Sequence, residues 1–235
     1  RAWLVTLEAP ATAGGVMDES RVYVPIHNDS TVALDRETGK VAWTRRVESA
    51  WPPVVSDGRV YLAASDELHA LDALTGRSLW RVPVGGLAAP LELYSGLLIA
   101  IEETGTVIAF RASDGGVLWR QALGTSPRAG AVGGQDKALC VTLEGGMVVL
   151  LSLADGHRLW ERRLTGTLGQ PAMGRDRVVV GSTDNFFYAL NAENGEGTVG
   201  FLPGFPAGAG AASAGPQKAL SQSVLFAPHK PQLNS

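Results

Sequence analysis

Cysteine is almost absent from this chain of 235 residues. Cys140 is the only one, so no intrachain disulfide can form, and a metal site built from several cysteines is excluded. Cys140 lies in the apolar run ALCVTL (138–143), and free cysteines in such runs usually pack in the interior. The sequence therefore predicts a buried, structural Cys140.

The chain also lacks runs of like charge and long apolar segments. Its formal net charge is −3 and it has no cluster of Lys and Arg, so nothing indicates a nucleic-acid partner or an anionic membrane surface. The longest nearly apolar stretch, LYSGLLIAI (93–101), is about half as long as a membrane span. The chain opens on Arg1 and no signal peptide follows. Either a leader has been removed or the chain is part of a longer protein, and the compartment cannot be read from the N-terminus.

A repeat of about forty residues organises the chain. Glycine (29) and proline (13) are abundant, which favours short strands joined by turns over long helices. Five tryptophans are spaced by 40, 37, 39 and 41 residues, namely Trp3, Trp43, Trp80, Trp119 and Trp160. A glycine lies four positions before each of the last four, and one period later the series continues, namely at Gly39, Gly76, Gly115, Gly156 and Gly195. A period in this range indicates stacked supersecondary units, here ending near residues 43, 80, 119, 160 and 199.

Each unit has the pattern of four short strands. In the second unit the segments PPVVS (52–56), RVYLAAS (59–65), LHALD (68–72) and RSLWRVPV (77–84) are separated by turn-forming residues, which predicts one antiparallel sheet. Four-stranded units of this length predict an all-β fold, a β-propeller whose blades surround a channel, with an open β-solenoid as the alternative. We expect about five blades over residues 1–199, forming a partial propeller or open arc. Two exposed blade edges would then permit self-association.

The clearest repeat within the chain is an eleven-residue motif that ends on tryptophan. It reads ALDRETGKVAW (33–43) in the first unit and ALDALTGRSLW (70–80) in the second. The Asp can accept hydrogen bonds from the backbone that follows, the Gly supplies a positive φ, and the small Ala leaves room for a large neighbour. We expect the Trp to reach the adjacent blade. The predicted docking residues are Ala33, Asp35, Thr38, Gly39 and Trp43, then Ala70, Asp72, Thr75, Gly76 and Trp80, then Gly115, Trp119, Gly156 and Trp160.

This motif resembles the tryptophan-docking motif of the pyrroloquinoline quinone (PQQ)-type β-propellers. The resemblance covers residues 1 to about 200, and the first two units match in full. The third unit, AFRASDGGVLW (109–119), has Arg111 in the Asp position, and the fourth, LLSLADGHRLW (150–160), has Ser152 there. The fifth, ALNAENGEGTV (189–199), loses the Trp.

The resemblance implies two main functional classes. Quinoprotein dehydrogenases bind PQQ and calcium, whereas non-enzymatic propellers, such as the outer-membrane-assembly lipoprotein BamB, bind other proteins. The dehydrogenases typically have about eight blades, and many carry a disulfide that this chain cannot form. Calcium needs several convergent oxygen ligands, and the acidic residues here lie mostly at turns. The four histidines are scattered, so no catalytic set can be argued from spacing.

We therefore expect a non-catalytic protein-binding or scaffold module with no catalytic residues, no metal and no cofactor. By the resemblance it belongs in the periplasm or cell envelope and binds a protein or peptide. The alternatives are a fragment of a PQQ-dependent dehydrogenase and a ligand-sensing region of a larger receptor or kinase.

Two residues are candidate partner contacts, because they fall where the innermost strands of blades should start. Trp51 is the one tryptophan outside the docking series, and it is either an exposed anchor or a packing residue of the blade connection. Arg128 opens a later unit in the equivalent place. Trp3 has no repeat ahead of it, so we expect the chain to start at the end of a unit. Residues 200–235 are rich in Gly, Ala, Pro and Ser, which predicts a poorly ordered, low-complexity tail.

Overall fold

Five four-stranded antiparallel sheets follow one another along the chain. They are seen in a computed structural model, which describes residues 3–133 and 137–201. Each sheet consists of four strands that are consecutive in sequence, and we number the sheets as blades 1 to 5. The predicted all-β architecture of propeller blades is confirmed. The predicted tail comprises residues 200–235; residues 200 and 201 belong to the last strand, and the rest of the predicted tail, from residue 202 onward, lies outside the described residues.

The strand bounds repeat with the period of the tryptophans. Blade 1 comprises β1 (Val16–Met17), β2 (Arg21–Ile26), β3 (Ser30–Asp35) and β4 (Val41–Arg45). Blade 2 comprises β5 (Val54–Ser56), β6 (Arg59–Ala63), β7 (Glu67–Asp72) and β8 (Ser78–Pro83). Blade 3 comprises β9 (Glu92–Tyr94), β10 (Leu97–Ile101), β11 (Thr106–Arg111) and β12 (Val117–Ala122). Blade 4 comprises β13 (Pro127–Gly133), β14 (Ala138–Leu143), β15 (Met147–Ser152) and β16 (Arg158–Arg163). Blade 5 comprises β17 (Ala172–Met173), β18 (Arg177–Gly181), β19 (Phe186–Asn191) and β20 (Gly197–Phe201).

One short 3-10 turn, Glu144–Gly146, joins β14 to β15. Across residues 3–133 and 137–201, no helix has the length and hydropathy to cross a membrane.

The core consists of separate apolar layers, each shared by two consecutive blades. At the interface of blades 1 and 2, Tyr23 and Ala33 pack with Val60 and Leu62. Equivalent layers join blades 2 and 3, blades 3 and 4, and blades 4 and 5. Each blade therefore buries its apolar face only by stacking on a neighbour, as repeat proteins do.

The N-terminal segment covers the other face of blade 1. Its side chains alternate, so that Trp3, Val5 and Leu7 pack against blade 1 while Leu4 between them is fully exposed. Alternation of this kind is typical of an extended strand with one buried face. The segment thus corresponds in position to the fourth strand of a unit.

Blade 5 leaves one face open within the described residues. Val179 pairs with Ala189 as Ile99 pairs with Ala109 in blade 3, yet Val179 is 38% exposed and Ile99 is 1% exposed. Phe187 on the same face is 41% exposed. The five blades therefore form an open arc, as predicted.

The first strands of neighbouring blades approach one another, as β1 and β5 do, and β13 and β17. This places the first strand of each blade on the inner side of the arc and the fourth strand on the outer side. The turns and blade connections at the ends of the strands are the places where a partner can be met.

Candidate binding site

The turn of the eleven-residue motif is held by its Asp and Thr. In blade 1 the Asp35 carboxylate accepts hydrogen bonds from the Thr38 N–H at 2.8 Å and from the Thr38 hydroxyl at 2.7 Å. Asp72 and Thr75 repeat both contacts in blade 2, each at 2.7 Å. The hydrogen bonds from Thr75 lower the pKa of Asp72. The Asp and Thr side chains of the motif thus make the hydrogen bonds that form the turn.

Each motif tryptophan reaches the turn of the following unit. The Trp43 indole N–H donates to the Ala73 carbonyl at 3.0 Å, and its ring lies against Gly76. The equivalent indole-to-carbonyl bonds are Trp3 to Arg36, Trp80 to Ala112, Trp119 to Leu153 and Trp160 to Ala192, at 2.8 to 3.1 Å. The receiving glycines are Gly39, Gly115, Gly156 and Gly195.

The motif alanine lies between two aromatic rings. In blade 1, Ala33 pairs with Tyr23 on one side and Trp43 on the other, and the two rings meet at a centroid distance of 5.8 Å. Tyr61, Ala70 and Trp80 repeat this arrangement in blade 2, with rings 5.9 Å apart. A larger side chain in the alanine position would separate the rings.

Two tyrosines that sequence reasoning missed share the carbonyls of the docking turns. The Tyr23 hydroxyl donates to the Ala73 carbonyl at 3.3 Å, the same oxygen that accepts from the Trp43 indole. Tyr61 does the same at Ala112, at 3.2 Å. A signal was present, because both tyrosines occur in the repeated tripeptide Arg-Val-Tyr.

Two arginines that sequence reasoning also missed fasten the same turns. Arg45 donates to the carbonyls of Gly76 at 2.6 Å and Thr75 at 3.0 Å, and Arg162 repeats this at Gly195 and Asn194. Each arginine lies two residues after its motif tryptophan. Because the acceptors are backbone carbonyls of another unit, no side-chain pattern in the sequence identifies them.

The units that depart from the motif rebuild the turn with other side chains. In blade 3, Arg111 in the Asp position forms an ion pair with Asp114 at 2.9 Å, and Asp114 also accepts from the Gly116 N–H at 2.8 Å. In blade 5, Asn191 accepts from the Glu193 N–H at 2.7 Å. The turns are therefore structural in these units as well.

Trp51 lines a groove that runs across blades 1, 2 and 3. The groove has a volume of about 740 Å³ and is formed by turns, blade connections and residues of β6, β7 and β8. Trp51 is partly buried and packs against the layer between blades 2 and 3. The Ser49 side chain fixes its backbone, because the Ser49 hydroxyl donates to the Trp51 carbonyl at 2.8 Å and accepts from the Trp51 N–H at 3.2 Å.

Charged side chains line the groove together with Trp51. Glu48, in the connection before blade 2, and Glu103, in a turn of blade 3, both line the groove, and so does Arg46. Glu48 accepts a hydrogen bond from the Asp29 N–H at 3.2 Å, and the Glu103 N–H donates to the Gly86 carbonyl at 2.8 Å. The Glu48 carboxylate also lies 3.5 Å from His27 Nδ1, so it is held by blade 1, whereas the bond at Glu103 holds only the backbone.

His69 forms part of the groove wall. Its Nε2 lies 3.4 Å from Glu67, and Arg81 lies 3.9 Å from the same carboxylate. Burial lowers the pKa of His69 below its ordinary value of 6.5, although the nearby Glu67 carboxylate opposes this shift. His69 is therefore neutral at physiological pH.

Arg128 lies elsewhere and is exposed. It is the extra residue of a β-bulge, since Pro127 pairs with Leu143 and Ala129 with Thr142. A bulge re-aims its side chain away from the ladder. Arg128 belongs to blade 4 and does not line the groove that contains Trp51.

No group of three or more His, Cys, Asp or Glu side chains that could hold a metal ion occurs in the described part of the chain. The calcium ion of a PQQ enzyme needs several convergent oxygen ligands. The side chains that the structure describes do not fit such an ion.

A family profile described as outer membrane protein assembly factor BamB matches residues 1–105 and 103–198. The chain belongs to this family. The match confirms the resemblance drawn from the docking motif, and BamB proteins recur among individual relatives. BamB of Moranella endobia is 25% identical over 214 residues, which is 80% of this chain and 53% of that protein.

A kinase is also similar in part. The serine/threonine-protein kinase AfsK of Streptomyces coelicolor is 37% identical over 103 residues, which is 42% of this chain and 13% of the kinase. The chain thus spans about half of the Moranella BamB and a small part of the kinase.

Solved structures show the same fold. BamB of Moraxella catarrhalis matches with a TM-score of 0.69 and 21% identity, covering 86% of this chain and 64% of that one. The quinohemoprotein alcohol dehydrogenase ADHIIG of Pseudomonas putida matches with a TM-score of 0.62 and 15% identity, covering 84% of this chain and 43% of that one. An assembly factor and a dehydrogenase thus share this blade architecture, and the fold alone does not decide between their functions.

Proposed function

We propose that this chain is a non-catalytic protein-binding module that works in the cell envelope, as the BamB family description suggests. The observation that carries the proposal is the division of labour among the side chains. The Asp and Thr of the motif form the turns and the Trp docks one blade to the next, whereas the groove that contains Trp51 is open. A surface of this kind suits recognition of another polypeptide.

The proposal is supported by the chemistry of the groove as well as by the family. Trp51 is an aromatic side chain with a fixed backbone in a concave site, and tryptophan is enriched among residues that dominate binding energy. We include Arg128 as a second, independent contact to test.

A photo-crosslinking experiment tests the binding role. p-Benzoylphenylalanine replaces Trp51 in one variant, Arg128 in a second and Leu118, an exposed residue of the outer strand β12, in a control. Each is expressed in the source cells and irradiated. We expect a discrete protein adduct from position 51 and none from position 118. Equal adducts from positions 51 and 118, or none from either, would contradict the proposal.

The dehydrogenase alternative predicts a different result. Purified protein mixed with PQQ and calcium would bind the cofactor stoichiometrically and reduce a dye with an alcohol or sugar as substrate. We expect neither binding nor turnover, and dye reduction would replace the binding proposal.

The similarity to AfsK supports a second candidate, a ligand-sensing region of a receptor kinase. In that case the same groove would hold the ligand. The sequence that flanks this chain in its gene distinguishes the two, because a kinase domain in the same polypeptide would favour sensing.

A further inference from the structure

The indole of Trp51 differs from every other indole in the chain. The other five tryptophans each donate their N–H to a backbone carbonyl. The Trp51 N–H makes no hydrogen bond to the residues that the structure describes, and it is not among the buried atoms that lack a partner. This N–H is therefore a donor that is available to an occupant of the groove.

The extent of the groove suits an extended polypeptide segment. Its lining comes from three consecutive blades, so it crosses two blade interfaces. Its apolar part includes Ala63 and Leu87, which are 3% and 7% exposed, and Val47. Peptide-binding grooves likewise combine apolar side chains with a few polar groups.

The charge of the groove selects the occupant. Four carboxylates line it, those of Asp29, Glu48, Glu67 and Glu103, against the two guanidinium groups of Arg46 and Arg81. Arg81 and Glu67 face each other, and His69 adds no positive charge when neutral. An excess of two carboxylates disfavours anionic occupants such as nucleic acid or acidic peptides.

We propose that this groove binds an extended polypeptide segment that carries a Lys or Arg side chain, with the cation set against the Trp51 ring and the carboxylates of Glu48 and Glu103. The proposal rests on the binding function proposed above and names the partner's chemistry. A cation over a tryptophan face is attracted by the ring, and more strongly where water is excluded. The carboxylates that line the groove add a charge contribution that salt weakens.

A selection from a library of displayed random heptapeptides tests this on the purified 235-residue protein. Selection is made against wild type after depletion on Trp51→Ala. The affinity of the best peptide is then measured by fluorescence anisotropy. We expect the selected peptides to be enriched in Lys and Arg. We expect the affinity to fall roughly tenfold in Trp51→Ala and severalfold in Glu103→Gln and Glu48→Gln, and to fall as salt rises.

The controls separate binding from folding. Leu118→Ala on the outer strand should leave the affinity unchanged. If Trp51→Ala melts much below wild type, the exposed substitution Glu103→Arg replaces it and should abolish selection of basic peptides. Neutral or acidic selected peptides, affinity independent of Trp51 and Glu103, or no selected peptides would each overturn the inference. A crosslinked protein at position 51 would still uphold the proposed function in those cases, so the two failures can be told apart.

Discussion

Trp43 and Gly76 fit together across the interface of blades 1 and 2. A Cβ placed on Gly76 would lie 2.6 Å from Cδ2 of the Trp43 ring, and Gly76 has a φ of +67°. Both facts require glycine, the first because of space and the second because of backbone conformation. The same pairing recurs at Trp3 with Gly39, Trp80 with Gly115, Trp119 with Gly156 and Trp160 with Gly195.

Gly76→Ala should destabilise the protein more than Gly58→Ala. Both glycines lie in blade 2 with nearly equal φ, +67° and +70°, but a Cβ on Gly58 would meet nothing within 4 Å. Gly58→Ala should cost about 1–2 kcal/mol for the left-handed backbone alone. Gly76→Ala should cost about 1–3 kcal/mol more, because the added methyl overpacks the Trp43 ring. Urea denaturation gives both values, and equal costs would show that the tryptophan contact does not constrain this position.

Trp119→Ala should reduce the free energy of unfolding by about 3–5 kcal/mol, as large core truncations do. Trp119 is 8% exposed and donates to the Leu153 carbonyl of the next unit at 3.0 Å. Trp119→Phe keeps much of the ring and loses the hydrogen bond, so it should cost clearly less. Trp51→Ala is the matched comparison, because its N–H has no partner in the described structure. A cost for Trp51→Ala as large as that for Trp119→Ala would argue against separate docking and binding roles.

The fold could be predicted from the sequence because its determinants are local and repeated. The period of the tryptophans, the turn residues and the alternating runs all lie within one unit, and the predicted segment 59–65 contains the observed β6 (Arg59–Ala63). The site was harder to predict. Whether Trp51 packs or faces solvent depends on residues of three blades. In the structure it packs against the layer between blades 2 and 3 and also lines the groove. The carbonyls that accept hydrogen bonds from Arg45 and Tyr23 belong to another unit. Because every residue has a backbone carbonyl, the sequence does not indicate which ones act as acceptors.

Cys140 should report on opening of the interface between blades 4 and 5. It is fully buried in the layer that joins them, and burial raises the pKa of its thiol. A thiol of this kind is inert to alkylation in the folded state. We expect iodoacetamide to label it slowly in buffer and rapidly in urea. Rapid labelling without denaturant would show that blade 5 separates from blade 4 under native conditions.

Acid should destabilise the protein partly through His69. Because burial lowers the pKa of His69 below 6.5, the unfolded chain binds a proton below this pH that the folded chain resists. The free energy of unfolding therefore falls as the pH falls from about 6.5. His69→Gln should flatten this dependence below about pH 6.5, while at pH 8 the slopes of both proteins should agree. Identical slopes across the acid range would contradict the predicted role of burial.

The open face of blade 5 should drive self-association. Phe187 and Val179 are 41% and 38% exposed there, in positions that other blades bury. Phe187→Asp should shift the protein toward the monomer in sedimentation velocity at a fixed concentration. Leu118→Asp on the outer strand, where Leu118 is also 41% exposed, is the matched control and should have little effect. A wild-type protein that remains monomeric at high concentration would exclude association through this face.

The forward reach of each tryptophan gives the row of blades a polarity. Trp43 rests on the turn that contains Gly76, and Trp119 on the turn that contains Gly156, always in the direction of the C-terminus. During synthesis each newly made unit therefore presents an uncovered indole until the ribosome releases the next turn. Domains and repeats generally fold from the N-terminus as they emerge. The tryptophans are thus buried in the order in which the units are translated. A pause in translation would leave the tryptophan of the last completed unit exposed to solvent.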